Sequence, residues 1–230
     1  MLVYGKNVAL EYLESNKKVE KAFVQNNFND FDIVNKLKKR NIRIQTLNKF
    51  DMDKKVSGLH QGIILSVEDY KYTDIYDIVS DEDSLIVMLD HIEDPHNFGA
   101  IIRSCEAAGV DGIIIPSDRS VEVNSTVIKT SVGTTEKMKI ARVTNLNNTI
   151  KFLKEKGYWI FGTDMNGTDY TKLDYKGKTC IICGNEGSGM SKLVRENCDF
   201  IASIPMRGEV NSLNASVATA IIVFEAVKQR

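Results

Sequence analysis

The sequence has 230 residues, of which 43% are hydrophobic and 27% are charged. These values are typical of a globular chain and exclude collagen-like, disordered and coiled-coil classes. No apolar run approaches the ~18–20 residues that span a bilayer, and no apolar signal core follows the start, so we expect a cytoplasmic protein. Four cysteines in a chain of this length do not indicate a disulfide framework.

Charge is distributed unevenly along the chain. Residues 1–60 hold 12 Lys and Arg against 7 Asp and Glu, residues 61–94 hold 1 against 10, and residues 95–230 hold 17 against 14. A basic N-terminal segment can form a nucleic-acid surface although the formal net charge is only -1. Charge alone favours the simpler interpretation, which is a set of solvated helix faces.

The first 68 residues alternate between helix and strand patterns. Helices are predicted over 7–14 and 31–39, where apolar residues recur at helical spacing. Strands are predicted over 22–24, 42–47 and 62–67. Together they indicate a small α/β domain over 1–68, followed by an acidic linker over 69–84.

The rest of the chain, 85–230, predicts a larger α/β domain. Residues 85–90 form a nearly continuous apolar run, which is typical of a strand covered on both faces in a parallel sheet. Further strands are predicted over 112–115, 139–143, 158–163, 179–184 and 200–204, and helices over 100–108, 123–131, 146–156, 191–197 and 213–227. This alternation predicts a mainly parallel sheet. The last helix is apolar on nearly every side and must be buried or lie in an interface.

Two patterns that look like metal sites favour simpler interpretations. Cys180 and Cys183 match C-x-x-C but lie inside an apolar strand, where they point to opposite faces, so buried structural cysteines are expected. His91, Asp94 and His96 lack a fourth ligand. We therefore predict no metal. A G-x-G-x-x-G fingerprint and a P-loop are both absent from the sequence.

Three polar clusters follow predicted strands of the larger domain. In the first, Asn97 could cap a helix in which Arg103 pairs with Glu106. In the second, a glycine-rich loop surrounds Glu186, at the strand ends where α/β sheets bind ligands. In the third, a polar loop precedes the last helix, and Ser212 could be its N-cap.

In this order and spacing, the clusters resemble the three motifs of the SpoU/TrmH family, a branch of the SPOUT RNA methyltransferases. The motif positions are Asn97, Gly99 and Arg103; Gly184, Glu186, Gly187 and Gly189; and Pro205, Met206, Gly208, Ser212, Leu213, Asn214, Ser216 and Ala218. The resemblance implies a catalytic domain with a deep trefoil knot, S-adenosylmethionine as cofactor and a homodimer. Residues 4–8 and 60–63 are similar to the N-terminal, ribosomal-protein-like RNA-binding domain of longer members.

The resemblance also implies roles for particular residues. Gly184, Ile204 and Leu213, and less directly Met206 and Thr163, would bind the cofactor. The catalytic residues would be Arg103, Asn97, Glu186, Ser212 and Asn214. Arg103 stands in the position of the base, but a free arginine has a pKa of roughly 12.5 or above. We therefore favour Arg103 as a clamp on the RNA phosphate that positions the ribose hydroxyl.

Within the family, the chain is most similar to the enzymes that methylate a guanosine 2'-hydroxyl in bacterial 23S ribosomal RNA. The basic N-terminal domain would bind that RNA, and the acidic linker is expected to stay off it. A tRNA ribose methyltransferase remains an alternative, as does a non-catalytic RNA-binding or assembly protein.

Overall fold

A computed structural model describes residues 1–15, 17–56 and 58–230. Contacts divide the chain into two units: Met1–Lys71 with Val123–Glu136, and Tyr72–Glu122 with Lys137–Arg230. The sequence predicted one boundary near the linker, whereas segment 123–136 groups with the N-terminal unit. The domain boundaries 1–68, 69–84 and 85–230 stay predictions.

The N-terminal unit is a four-stranded sheet with helices. Its elements are β1 (Leu2–Tyr4), α1 (Lys6–Glu14), β2 (Val19–Gln25), α2 (Phe31–Lys39), β3 (Arg43–Leu47), α3 (Lys49–Asp53), β4 (Ile63–Val67) and α5 (Ser125–Thr130). The strand order is β1-β4-β2-β3, and only β2 and β3 pair in parallel. The sequence pattern did not predict β1 and α3, which are too short to show a period.

The second unit contains a six-stranded sheet. Its elements are β5 (Leu85–Asp90), α4 (Pro95–Ala108), β6 (Gly112–Pro116), β7 (Ile140–Val143), α6 (Leu146–Glu155), β8 (Trp159–Asp169), β9 (Thr179–Gly184), α7 (Lys192–Glu196), β10 (Phe200–Ser203) and α8 (Ala215–Lys228). The strand order is β10-β8-β9-β5-β6-β7, and every pairing is parallel. The predicted parallel α/β sheet is confirmed, while the trefoil knot stays a prediction.

Because all strands of this sheet run in the same direction, the loops that follow them lie at one edge of the sheet. β5 lies between β9 and β6, and Asp90 at its end is in register with Gly184 at the end of β9. All six residues of β5 are buried, as its apolar run predicted. The polar clusters that follow β5 and β9 are therefore neighbours.

Two helix starts differ from the prediction. α4 begins at Pro95 and is capped by Asp94, whose carboxylate accepts from the His96 N–H, so Asn97 lies inside the first turn. α8 begins at Ala215, and its cap is Asn214 rather than Ser212. A proline at the first helical position explains the early start of α4, because its fixed φ suits a helix.

The last helix is covered on only part of its surface. Thr219, Ile222 and Val223 are buried, whereas Val217 and Phe224 are 46% and 49% exposed. Because α8 is apolar all round, one side of it remains uncovered within this chain. No helix in the described part of the chain is long and apolar enough to cross a membrane.

Candidate functional site

Three polar residues from distant parts of the sequence meet at the edge of the parallel sheet. The Asn97 amide Nδ2 donates to Glu186 Oε1 at 2.8 Å, and Asn214 Nδ2 donates to Asn97 Oδ1 at 2.9 Å. Asn97 is 8% exposed, while Glu186 and Asn214 are exposed. The structure thus joins one residue from each of the three motifs, which we call the Asn97 network.

The loop that carries Glu186 is organised by Asn185, which the sequence analysis did not select. Asn185 Oδ1 accepts from the Gly187 and Ser188 N–H groups at 2.9 and 3.2 Å, and the Asn185 and Gly189 backbones bond to each other. Its Nδ2 donates to the His91 carbonyl at 2.7 Å. An Asn among glycines is typical of an Asx turn, and this signal could have identified it.

A buried carboxylate fastens the other end of the same loop. Asp90 is 1% exposed and accepts from the Ser191 N–H at 2.6 Å and contacts His91 Nδ1 at 2.5 Å. His91 adopts a left-handed backbone with φ 61°. Among the described residues, no three His, Cys, Asp or Glu side chains are arranged to hold a metal.

Gly184 leaves no room for a side chain. A Cβ at this position would lie 2.3 Å from Met190 N and 2.4 Å from the Gly189 carbonyl carbon. Both are backbone atoms and cannot move as the end of a flexible side chain does. A glycine is therefore required for the loop to fold back against the end of β9.

The candidate cofactor residues lie on or after three neighbouring strands. Gly162 of β8 is in register with Ile182 of β9, so the next residue, Thr163, lies beside the end of β9. Burial raises the pKa of the Cys183 thiol to about 11. Ile204 and Met206 are half-buried after β10, and Leu213 is 37% exposed.

These surroundings fit a cofactor that has both an apolar ring and charged groups. Gly187 and Gly189 of the glycine loop are exposed and have no side chain that would block a ligand, and apolar side chains from the β10–α8 segment stand on the same edge of the sheet. Exposed backbone at the ends of parallel strands is where α/β sheets hold such ligands. Which of these residues touch a cofactor stays a prediction.

Arg103 and Ser212 do not join the Asn97 network in the described part of the chain. Arg103 is exposed on α4, six residues after Asn97, which is about 9 Å along the helix axis. The exposed Ser212 hydroxyl lies 3.4 Å from Asn211 Oδ1. Both side chains therefore remain accessible to a ligand.

The cysteines of the C-x-x-C pattern are buried, as expected. Cys180 and Cys183 are 0% and 3% exposed. Burial raises the pKa of Cys180 well above its ordinary value. They are packing residues of β9.

Comparison with known proteins identifies the family of the chain. Residues 84–224 match the SpoU rRNA Methylase family, and residues 2–73 match an RNA 2'-O ribose methyltransferase substrate binding domain. A Bacillus subtilis (strain 168) protein named as a TrmH family tRNA/rRNA methyltransferase, YacO, is 38% identical over 99% of this chain and 95% of its own length.

Two solved structures extend the likeness. The SpoU methyltransferase AviRb from Streptomyces viridochromogenes, in complex with AdoMet, is 26% identical, with a TM-score of 0.86 over 100% of this chain and 90% of that one. The A. aeolicus TrmH/SpoU tRNA modifying enzyme is 31% identical, with a TM-score of 0.60 over 67% of this chain and 79% of that one. The chain belongs to the SpoU/TrmH family of RNA 2'-O-ribose methyltransferases.

Proposed function

We propose that this protein methylates the 2'-hydroxyl of a guanosine in 23S ribosomal RNA, with S-adenosylmethionine as the methyl donor. The observation that carries the proposal is the Asn97 network, which brings one residue of each motif to the edge of the sheet. Family membership supports the reaction type.

The methyl donor is proposed to bind between the glycine loop and the segment before α8. AviRb was solved in complex with AdoMet, and the exposed glycines of the loop after Gly184, with the apolar Ile204, Met206 and Leu213, suit the same molecule. When bound, it supplies an electrophilic methyl group. Asn185 and Asp90 would hold the loop in shape through the hydrogen bonds described above.

The ribose hydroxyl is a poor nucleophile and must lose its proton as it attacks; we propose that this proton passes to water by way of the neighbouring RNA phosphate that Arg103 would hold. We assign Asn97 to orient the hydroxyl or Arg103, and Glu186 to fix the amide of Asn97. Arg103, exposed on α4, would clamp the neighbouring phosphate. Ser212 and Asn214 would hydrogen-bond the substrate or shape the cofactor loop. A hydroxyl held in line with the donor reacts faster because orientation entropy is already lost.

The N-terminal unit supports an RNA substrate. Residues 1–60 hold 12 Lys and Arg against 7 acids. Phe31 and Phe50 are 81% and 66% exposed, and Lys54 Nζ lies 4.1 Å from the Phe50 ring centroid. Exposed rings beside cations suit stacking on bases and attraction to phosphates.

Ribosomal RNA is favoured over tRNA because of this additional unit. The A. aeolicus tRNA modifying enzyme covers only 67% of this chain, whereas the relatives that cover it fully are named for both substrates. A tRNA target is the second candidate, and it is favoured by the names of these relatives, which include tRNA.

The test is to incubate the purified protein with tritiated S-adenosylmethionine and bulk bacterial RNA, and then to size the labelled RNA. We expect label in 23S RNA, at a guanosine whose ribose resists alkaline cleavage. Label confined to tRNA would contradict the ribosomal target, and no label would favour a non-catalytic RNA-binding protein. Arg103→Ala should abolish transfer while cofactor binding persists, and Arg103→Lys should restore part of it.

We also propose a homodimer that covers the exposed side of α8. Burying Phe224 and Val217 against a second copy would remove an apolar surface from water. Sedimentation should show a dimer for the native protein and a monomer for Phe224→Glu. Leu193→Glu on α7, where Leu193 is 61% exposed, is the matched control and should stay dimeric.

A further inference from the structure

A cavity lies on the same edge of the parallel sheet as the Asn97 network. It has a volume of about 720 Å³ and opens where β7 ends and α6 begins. Its lining includes Tyr72, Tyr76, Arg142, Asn145, Asn148 and Phe152. None of these residues has a role in the function proposed above.

Aromatic rings form the apolar part of this cavity. Tyr76 is 70% exposed, and its ring meets Phe152 edge-on, with the centroids 5.3 Å apart and the planes at 80°. This contact supports the Tyr76 ring from the side and leaves most of it open. The Arg142 guanidinium lies over the Tyr72 ring, 5.7 Å from its centroid, and adds a second planar group to the lining. Such surfaces stack on planar heterocycles.

Amide groups form the polar part. Asn145 caps α6, accepting from the Asn148 N–H at 3.0 Å through its Oδ1. The side chains of Asn145 and Asn148 are both exposed. An Asn side chain carries a donor and an acceptor together, which is the combination that reads the edge of a nucleobase.

The charges in and around the cavity favour a neutral ligand over a phosphate. Arg142 is already paired with Glu122 at 2.7 Å and donates to the Ser117 carbonyl at 2.9 Å. Asp74 lies in the lining and is exposed. A phosphate would meet these carboxylates, whereas an uncharged base would not.

The sheet order gives the distance from the reaction site. β7 is the second neighbour of β5 in the order β5-β6-β7, so the two strand ends are separated by two strand spacings, about 10 Å. A few nucleotides of one RNA strand can cross this gap. A base near the methylated ribose can therefore reach the cavity.

We propose that this cavity binds the base of an unpaired nucleotide of the substrate RNA, close to the nucleotide that is methylated. The inference rests on the proposed function, since it takes the RNA to be held at the Asn97 network. It brings residues 72–76 of the predicted linker against RNA, contrary to the expectation from the acidic charge of that segment.

The test compares methyl transfer to bulk 23S RNA by the native protein and by variants of Tyr76. Tyr76→Ala should raise KM for RNA about tenfold, corresponding to ~1.4 kcal/mol of lost stacking, with kcat and cofactor affinity unchanged. Tyr76→Trp should behave like the native protein because it keeps a stacking surface. Trp159→Ala is the matched control. Trp159 is 55% exposed, and its ring centroid lies 5.8 Å from that of Phe200. It is the first residue of β8 and therefore lies at the edge of the sheet opposite to the cavity.

An unchanged KM in Tyr76→Ala, or an equal loss in the Trp159 variant, would overturn the inference. A crosslinking experiment separates it from the proposed function. RNA carrying 4-thiouridine is irradiated with the protein, and the crosslinked peptides are identified by mass spectrometry. Crosslinks at residues 72–76 or 142–152 without methyl transfer would support the cavity and contradict the proposed reaction. Methyl transfer without crosslinks there would refute the cavity alone.

Discussion

Asn214 has two functions that a single substitution can separate. Its Oδ1 accepts from the Ser216 N–H at 3.0 Å and the Ser216 hydroxyl at 2.6 Å, which caps α8. Its Nδ2 donates to Asn97. Replacing Asn214 by Asp keeps the cap, because a carboxylate is an equally good acceptor at a helix N-terminus. The same change removes the donor that faces Asn97.

The consequence for Asn97 follows from its two neighbours. In the native protein its Nδ2 faces Glu186 and its Oδ1 faces Asn214. In the aspartate variant both neighbours are acceptors, so one carboxylate is left facing the Asn97 carbonyl. Losing one hydrogen bond and adding this repulsion should cost roughly 1.5 kcal/mol of positioning, which lowers kcat/KM about tenfold or more.

The assay pairs methyl-transfer kinetics with thermal unfolding. Asn214→Asp should stay folded, with Tm lowered by no more than about 3–6 °C for the ~1.5 kcal/mol lost at Asn97, and should lose activity. Asn214→Ala loses the cap as well, which costs about 1 kcal/mol and lowers Tm by roughly 2–4 °C. Asn124→Asp is the control, because Asn124 caps α5 in the same way and has no part in the site. Native activity in Asn214→Asp would refute the role given to the Asn97 network.

Three further predictions concern the loop, the thiols and an acid-sensitive ion pair. Gly184→Ala should destabilise the second unit by about 1–3 kcal/mol, measured by urea unfolding, and should weaken cofactor binding, measured by calorimetry, because the added Cβ would overlap the Met190 N–H. Native values in both measurements would contradict the close approach of the loop to Gly184. Native protein at pH 8 should react slowly with a thiol reagent, and fully only in denaturant, because burial raises the pKa of all four thiols: Cys105, Cys180, Cys183 and Cys198. Lys6 lowers the pKa of Asp30, so Asp30→Asn should lower the free energy of unfolding at pH 7. The difference in this free energy between the native protein and the variant should vanish as the pH falls below about 4, where Asp30 is protonated, and a difference that stays constant with pH would exclude the ion pair.

Much of the fold could be predicted because its strands have strong local patterns. The buried run of β5 and the repeated alternation of strands and helices indicate a parallel sheet without further information. The pattern did not predict β8 beyond residue 163, because residues 164–169 are mostly polar and mostly exposed, and the pairing of residues 168 and 169 with β10 depends on tertiary context.

The sequence motifs contain the three residues of the Asn97 network but do not show the hydrogen bonds that join them. The motifs selected Asn97, Glu186 and Asn214, yet nothing local shows that an amide at 97 bridges the other two. The sequence did not single out Asn185, because the carboxylate of the neighbouring Glu186 is the more obvious chemical group. Hydrogen bonds between residues about 90 to 120 positions apart depend on the strand order, which a single sequence does not specify.

The grouping of segment 123–136 with the N-terminal unit affects how this protein can be dissected or recombined. Val127 and Ile128 of α5 are buried, and the Lys129 amine donates to the Leu59 carbonyl at 2.9 Å. The Tyr12 hydroxyl donates to Glu136 at 2.6 Å. A fragment cut after residue 71 would lack these partners and expose apolar surface. Exchanging the RNA-binding part between relatives would therefore require three crossover points in the gene instead of one.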